Sequence, residues 1–225
     1  MPRTARVVIP GIPHHVTQRG NYRQKIFYAD KDREQYINWI LEYVKKYDVE
    51  VAGYCIMGNH VHFVVTPKKE ESLSRLFNMA HMRYSQYMNK KLKALGHLWQ
   101  GRYYSSPLGE ESLKEVLRYV ERNPVRAKMV KKAWDYEWSS AKEHIGGKAG
   151  KLPVTGIKEI IGKNEREWKA YIEEKDREDD LKQIRLSTLN GKPYGSEKFI
   201  TWLETKLKLK LRLLPRGRPW PKKDK

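Results

Sequence analysis

The chain has 225 residues and a formal net charge of +19, from 46 Lys and Arg against 27 Asp and Glu, an excess that makes a polyanion, nucleic acid first, the leading partner. Its 39% hydrophobic content, with seven Trp and fourteen Tyr, excludes a disordered chain and suits one main folded unit. No stretch approaches the roughly 20 apolar residues of a spanning helix, and the start MPRTARVVIPG lacks the apolar segment of a signal peptide; a cytoplasmic, nucleoid-associated protein is expected, with no membrane partner.

In chain order, PHHVTQRG reads as a first strand closed by a Gly-Asn turn. The segment from Asp30 to Tyr47 carries Tyr36, Ile37, Ile40, Leu41 and Val44 at helical spacing. VEVAGYCIM and HVHFVVTP are β-rich runs on either side of Gly58-Asn59, a short hairpin signal. Ser72 is placed to cap a long helix reaching about Leu95, with Leu73, Leu76, Phe77, Ala80 and Tyr84 on one face. GRYYSSPLG supplies a fourth strand, and Ser112 starts a helix with Leu113, Val116, Leu117 and Val120 at i, i+3, i+4 and i+7. The order β-α-β-β-α-β-α predicts an α+β fold of the ferredoxin-like kind, a split β-α-β on an antiparallel sheet. IGGKAGK, around residues 145–151, marks a boundary between a catalytic unit, 1–145, and a helical, basic C-terminal extension, 146–225. The chain ends in a Lys- and Arg-rich tail whose prolines and glycine favour an extended form.

Cys55 is the only cysteine, so an intramolecular disulfide and a Cys-rich zinc site are both excluded, and any metal must be held by nitrogen and oxygen. Alternation along a strand puts His60 and His62 on one face and Val61, Phe63 and Val65 on the other. Two imidazoles side by side suit a divalent metal, and equally a half-polar sheet face; spacing alone leaves both open. His14 and His15 are adjacent, so a strand points them to opposite faces and they do not form a second pair like His60 and His62. On the helix from Ser112, Tyr119 and Asn123 stand at i and i+4 and share a face. A phenol is a poor nucleophile at neutral pH, with a pKa of about 10, and a phosphodiester resists attack through its charge; a Lewis-acidic metal addresses both difficulties. Tyr119 is also readable as an interfacial core tyrosine, and Asn123 as a cap before Pro124. Arg118, Arg122 and Arg126 form an i, i+4, i+8 stripe that either tracks a DNA backbone or is a solvated helix face. Trp99, Gln100 and Arg102 are further candidates for DNA contact, with Trp99 also readable as core. Arg216-Gly217-Arg218-Pro219 is similar to the core of an AT-hook, in which an arginine pair enters a narrow minor groove.

Five segments in the same order, MPRTARVVIPGIPHHVTQRGN, YCIMGNHVHFVV, GHLWQGRYYS, RYVERNPVRAKMV and WDYEWSSAKEH, resemble the REP-associated tyrosine transposases, within the single-tyrosine HUH transposase superfamily. The resemblance covers about two thirds of the chain. It implies a ferredoxin-like domain in which His60 and His62 bind Mg²⁺ or Mn²⁺ and Tyr119 attacks a phosphodiester, leaving a 5′-phosphotyrosyl intermediate and a free 3′-hydroxyl. It implies Asn123 as third ligand, where the superfamily often has glutamine, and single-stranded DNA beside hairpin-forming repeats as substrate. Gly58 stands where related sequences often have proline, which is expected to loosen the hairpin before His60. Family members act as homodimers or monomers, and both remain open. The alternative function is a non-catalytic DNA-binding regulator or architectural protein of the same fold, against which the intact histidine pair and Tyr119 argue. An RNA-binding sheet would show an aromatic Lys/Arg-Gly-Phe-type strand motif, which is absent, and a nuclease using activated water would leave no covalent adduct.

Overall fold

The computed structural model describes residues 6–155 and 164–212. Four strands, β1 (His14–Arg19), β2 (Val49–Ile56), β3 (His60–Pro67) and β4 (Tyr104–Pro107), form one sheet in the order β2-β3-β1-β4. β3 runs antiparallel to both β1 and β2. β1 and β2 are therefore parallel to each other with β3 inserted between them, the split β-α-β expected from the element order.

Helices α1 (Asp30–Lys46) and α2 (Ser72–Leu92) cover one face of the sheet. The face they cover is set by the register: Val16 pairs with Phe63 and Gln18 with Val61, and Phe63 packs against Tyr36 of α1 and Phe77 of α2. Tyr36, Phe63, Phe77 and Tyr84 are at most 1% exposed, and each such ring stabilises the fold by about 1.5–3 kcal/mol relative to an exposed one. α1 has Asp30 and Asp32 in its first turn and Lys45 and Lys46 in its last, matching the helix dipole at both ends. Ser72 does not cap α2 as expected. Its hydroxyl accepts from the Lys69 N–H ahead of the helix, and α2 stops at Lys93 in the left-handed region (φ 50°).

The other face carries His15, Thr17 and Arg19 of β1 opposite Val64, His62 and His60 of β3, and α3 (Leu113–Glu121) packs on it. A Cβ at Gly53 would lie 2.2 Å from Leu117 Cδ1, so α3 approaches the sheet as closely as only a glycine permits. Short helices α4 (Asn123–Arg126) and α5 (Ala141–His144) follow, then α6 (Glu165–Glu173), α7 (Glu178–Asn190) and α8 (Glu197–Leu207). The C-terminal helices pack on the sheet domain. Trp168 of α6 and Leu181 and Ile184 of α7 join its main core. Glu121 of α3, fully buried, accepts from Ser140 Oγ at 2.6 Å and from Trp168 Nε1 at 3.3 Å and lies 2.5 Å from His144 Nδ1, which ties α3, α5 and α6 together. Among the described residues, no helix is long and apolar enough to cross a membrane.

Candidate active site

α3, β1, β3 and α7 enclose a cavity of about 560 Å³. His60 and His62 project into it from β3 with ring centroids 5.0 Å apart, as strand alternation requires. Tyr119 comes down from α3 with its ring centroid 5.8 Å from that of His62 and 5.6 Å from that of His15, its plane nearly perpendicular to both. All of these groups come from one chain. The loop before His60 is held by hydrogen bonds: the Gly58 carbonyl accepts from the N–H groups of Ile26 and Phe27, and Asn59 Nδ2 donates to the Arg23 carbonyl. That arrangement also turns Asn59 Oδ1 onto His60 Nδ1, 2.6 Å away.

An amide oxygen only accepts, so His60 carries its proton on Nδ1 and keeps a lone pair on Nε2. Burial lowers the His60 pKa to about 4, with Arg19 adding to the effect, and burial lowers His15 to about 3. His62 is held well below its ordinary value by burial first, then by its imidazole and guanidinium neighbours. The rings are neutral at pH 7, as metal ligation demands. Asn123 donates through Nδ2 to the carbonyls of Tyr119 and Val120, which leaves its side-chain oxygen as the free donor atom beside His60, whose protonated form it favours. Among the described residues no group of three or more His, Cys, Asp or Glu is arranged to hold a metal. The donor atoms on offer at this place are two imidazoles and one amide, neutral throughout. They fit a six-coordinate divalent cation that takes its remaining ligands, and its balancing negative charge, from water and phosphate. The cavity wall agrees: among the described residues, Arg19, Arg23, Arg126 and Arg185 line it and no carboxylate does.

The IS200-like transposase family matches residues 9–123, just over half of the chain and the stretch that holds β1 to α3 and Asn123. The chain belongs to that family. No curated protein matches it. The transposase is similar in fold to a solved REP-associated tyrosine transposase bound to a REP hairpin, with 17% identity over 65% of this chain and 86% of the other and a TM-score of 0.53. A protein from Deinococcus radiodurans R1, assigned provisionally as a transposase, matches over 54% of this chain and 97% of its own with 13% identity and a TM-score of 0.38.

The structure of the transposase brings together His60, His62, Tyr119, Asn123 and Arg126 but not the rest of the expected arginine stripe. Arg118 donates through Nε to the Tyr171 carbonyl, Arg122 donates to the Ile172 carbonyl, and all three arginines of the stripe converge on one oxygen of Asp176, at 3.0–3.5 Å. An exposed stripe following DNA is thus corrected: α6 and the segment after it cover that helix face, and the guanidinium groups of Arg118 and Arg122 are spent on the seam. Arg126 instead turns its guanidinium over the Tyr119 ring, 4.4 Å from its centroid, and donates to the Tyr119 carbonyl. Trp99 is 7% exposed and donates its indole N–H to the His81 carbonyl, so it is core and does not stack on a base. Gln100 lines the cavity, whereas Arg102 is exposed outside it. Arg216 and Arg218 lie outside the described residues. Sequence reasoning passed over Arg19, Arg23 and Arg185, and set His15 aside. Alternation along β1 puts His15 and Arg19 on one face, but only the β1–β3 pairing shows that this is the histidine face.

Proposed function

We propose that this transposase cleaves and rejoins single-stranded DNA beside hairpin-forming repeats, with Tyr119 as nucleophile. The observation that carries the reading is the Tyr119 ring set perpendicular to the His62 ring in a cavity that, among the described residues, is lined by four arginines and no carboxylate. Arg19, Arg23 and Arg185 suit a phosphate backbone threading the cavity, and Arg126 holds the Tyr119 ring and helix end in place. His60, His62 and Asn123 would hold Mg²⁺ or Mn²⁺. When bound, the ion supplies Lewis-acid polarisation of the scissile phosphate. The Tyr119 oxygen forms a bond to phosphorus while the bond to the 3′-oxygen breaks, giving a 5′-phosphotyrosyl link and a free 3′-hydroxyl. Attack by a 3′-hydroxyl on that link reverses the step and joins strands without an external energy source. The repeat hairpin of the structural relative and the family's transposase assignment support DNA of this kind as the substrate.

The test is incubation of the protein with labelled single-stranded hairpin DNA and Mn²⁺, followed by a denaturing gel. A labelled band at the size of the protein is expected from the wild type. Tyr119→Phe is expected to give neither band nor cleavage while retaining DNA binding, and His60→Ala to lose cleavage. Cutting by Tyr119→Phe at the wild-type rate rules out the tyrosine mechanism, and DNA binding with no cutting by the wild type favours a regulator of the same fold.

A further inference from the structure

Asn59 fixes the proton of His60 from the next position in the chain, but the partner of His62 comes from elsewhere. Thr188, on α7, is 2% exposed, and its hydroxyl donates to the Ile184 carbonyl at 2.8 Å. A hydroxyl has one proton, so towards any other neighbour Thr188 Oγ1 can only accept. That neighbour is His15 Nδ1, at 2.8 Å across a separation of 173 residues. His15 therefore carries its proton on Nδ1, and the lone pair of a neutral ring is on Nε2. His15 Nε2 lies 2.9 Å from His62 Nδ1. The two ring planes agree within 9° and their centroids are 5.2 Å apart, which with that short nitrogen contact means two rings meeting edge to edge in one plane. An in-plane lone pair and an in-plane N–H need this alignment, and face-to-face stacking would not give it. The hydrogen at that contact must come from His62 Nδ1, which leaves Nε2 of His62 as its bare nitrogen.

We propose that Thr188 and His15 are positioning residues that fix the tautomer of His62, so that its Nε2 lone pair is turned to the cation. The inference rests on the reading of His60 and His62 as metal ligands. It makes α7, in the part of the chain beyond the family match, a component of the metal centre. Each ligand has its own second partner, an amide oxygen for His60 and the Thr188–His15 pair for His62, and such partners orient the ring and raise the basicity of the ligating nitrogen.

The experiment is long-range ¹H–¹⁵N correlation on metal-free protein with ¹⁵N-labelled histidine, which separates protonated from bare ring nitrogens, followed by Mn²⁺ titration read from paramagnetic broadening at the His60 and His62 rings. In the wild type, His15 and His62 are expected to be protonated at Nδ1 and bare at Nε2. Thr188→Val keeps the shape of the side chain and removes the acceptor. It is expected to populate the Nε2–H form of His62 and to weaken Mn²⁺ binding about tenfold or more, whereas Thr188→Ser restores both. A His62 protonated at Nε2 in a wild type that binds Mn²⁺ overturns the relay alone, as does a Thr188→Val protein with wild-type tautomers and affinity. Wild type with the expected tautomers but no broadening at millimolar Mn²⁺ overturns the metal-centre reading itself. The wild-type spectrum carries the test even if Thr188→Val fails to fold.

Discussion

Gly53 shows how one residue sets the geometry of the cavity. Its missing side chain lets Leu117 sit on the sheet, and Tyr119 follows Leu117 by two residues on the same helix. Gly53→Ala forces a methyl group against a fully buried Leu117 side chain, with Ser140 Oγ at 3.2 Å on the other side. A destabilisation of about 1–3 kcal/mol is expected from overpacking, together with slower cleavage as α3 is lifted from the histidines. Urea denaturation and the cleavage rate measure the two effects, and a variant unchanged in both would show that α3 does not need this close approach. The glycine is visible in the sequence of β2. Its role is not, because the clash that it avoids is with a residue in another element.

At the level of elements, the seam between α3–α4 and the α6–α7 segment is held by Asp176. One carboxylate, 11% exposed, faces Arg118, Arg122 and Arg126, so the seam keeps an excess of positive charge even when intact. Asp176→Asn keeps the shape and removes the charge, which leaves three guanidinium groups close together with no counterion. The loss is expected to be on the order of 3 kcal/mol, as for a buried pair deprived of one partner. A lower urea midpoint with greater protease sensitivity in α6 and α7 is the expected result, and a midpoint equal to the wild type would mean that the seam is held by its carbonyl contacts alone. The i, i+4, i+8 spacing of these arginines was legible and correctly put them on one helix face. What that face meets was not, since a carboxylate about 50 residues further on, by the separations from Arg122 and Arg126, gives no local signal.

For the whole molecule, charge and acid stability follow from the same distribution of groups. Three cavity arginines offered to single-stranded DNA, Arg19, Arg23 and Arg185, at about −0.7 in the log–log salt slope per phosphate neutralised, predict a slope near −2 from the cavity alone. Arg19→Gln and Arg185→Gln are each expected to reduce its magnitude by about 0.7, measured by fluorescence anisotropy over a salt series. Slopes unaltered in both variants would place the DNA elsewhere. Two buried histidines away from the cavity add to the three depressed histidines within it in lowering stability at low pH. His14 accepts from Ile9 N–H and donates to the Ile12 carbonyl, and His81 shares a hydrogen bond with the Tyr36 hydroxyl. Burial lowers His14 to about 4 and His81 to about 3, against about 6.5 in the unfolded chain. Between those values the unfolded state binds more protons, so stability is full above pH 6.5 and falls with pH, by about 1.4 kcal/mol per unit for each histidine. The urea midpoint should drop steeply from pH 6.5 to pH 4.5 and stay flat from pH 7 to pH 8. A flat midpoint down to pH 4.5 would mean that these rings are already charged in the folded state.

Sequence by itself determined the element order, the ferredoxin-like class, the pairing of His60 with His62 and of Tyr119 with Asn123, and the strongly basic charge that points to a polyanionic partner. Each follows from a local period, of two along a strand or about 3.6 along a helix, or from a sum over the chain. Tertiary structure alone decided which arginines face the cavity, that Trp99 is core, and that His15 and Thr188 stand behind His62. Those outcomes depend on strand register and on where α6 and α7 dock, and contacts between residues far apart in the chain leave no periodic trace in the order of the amino acids.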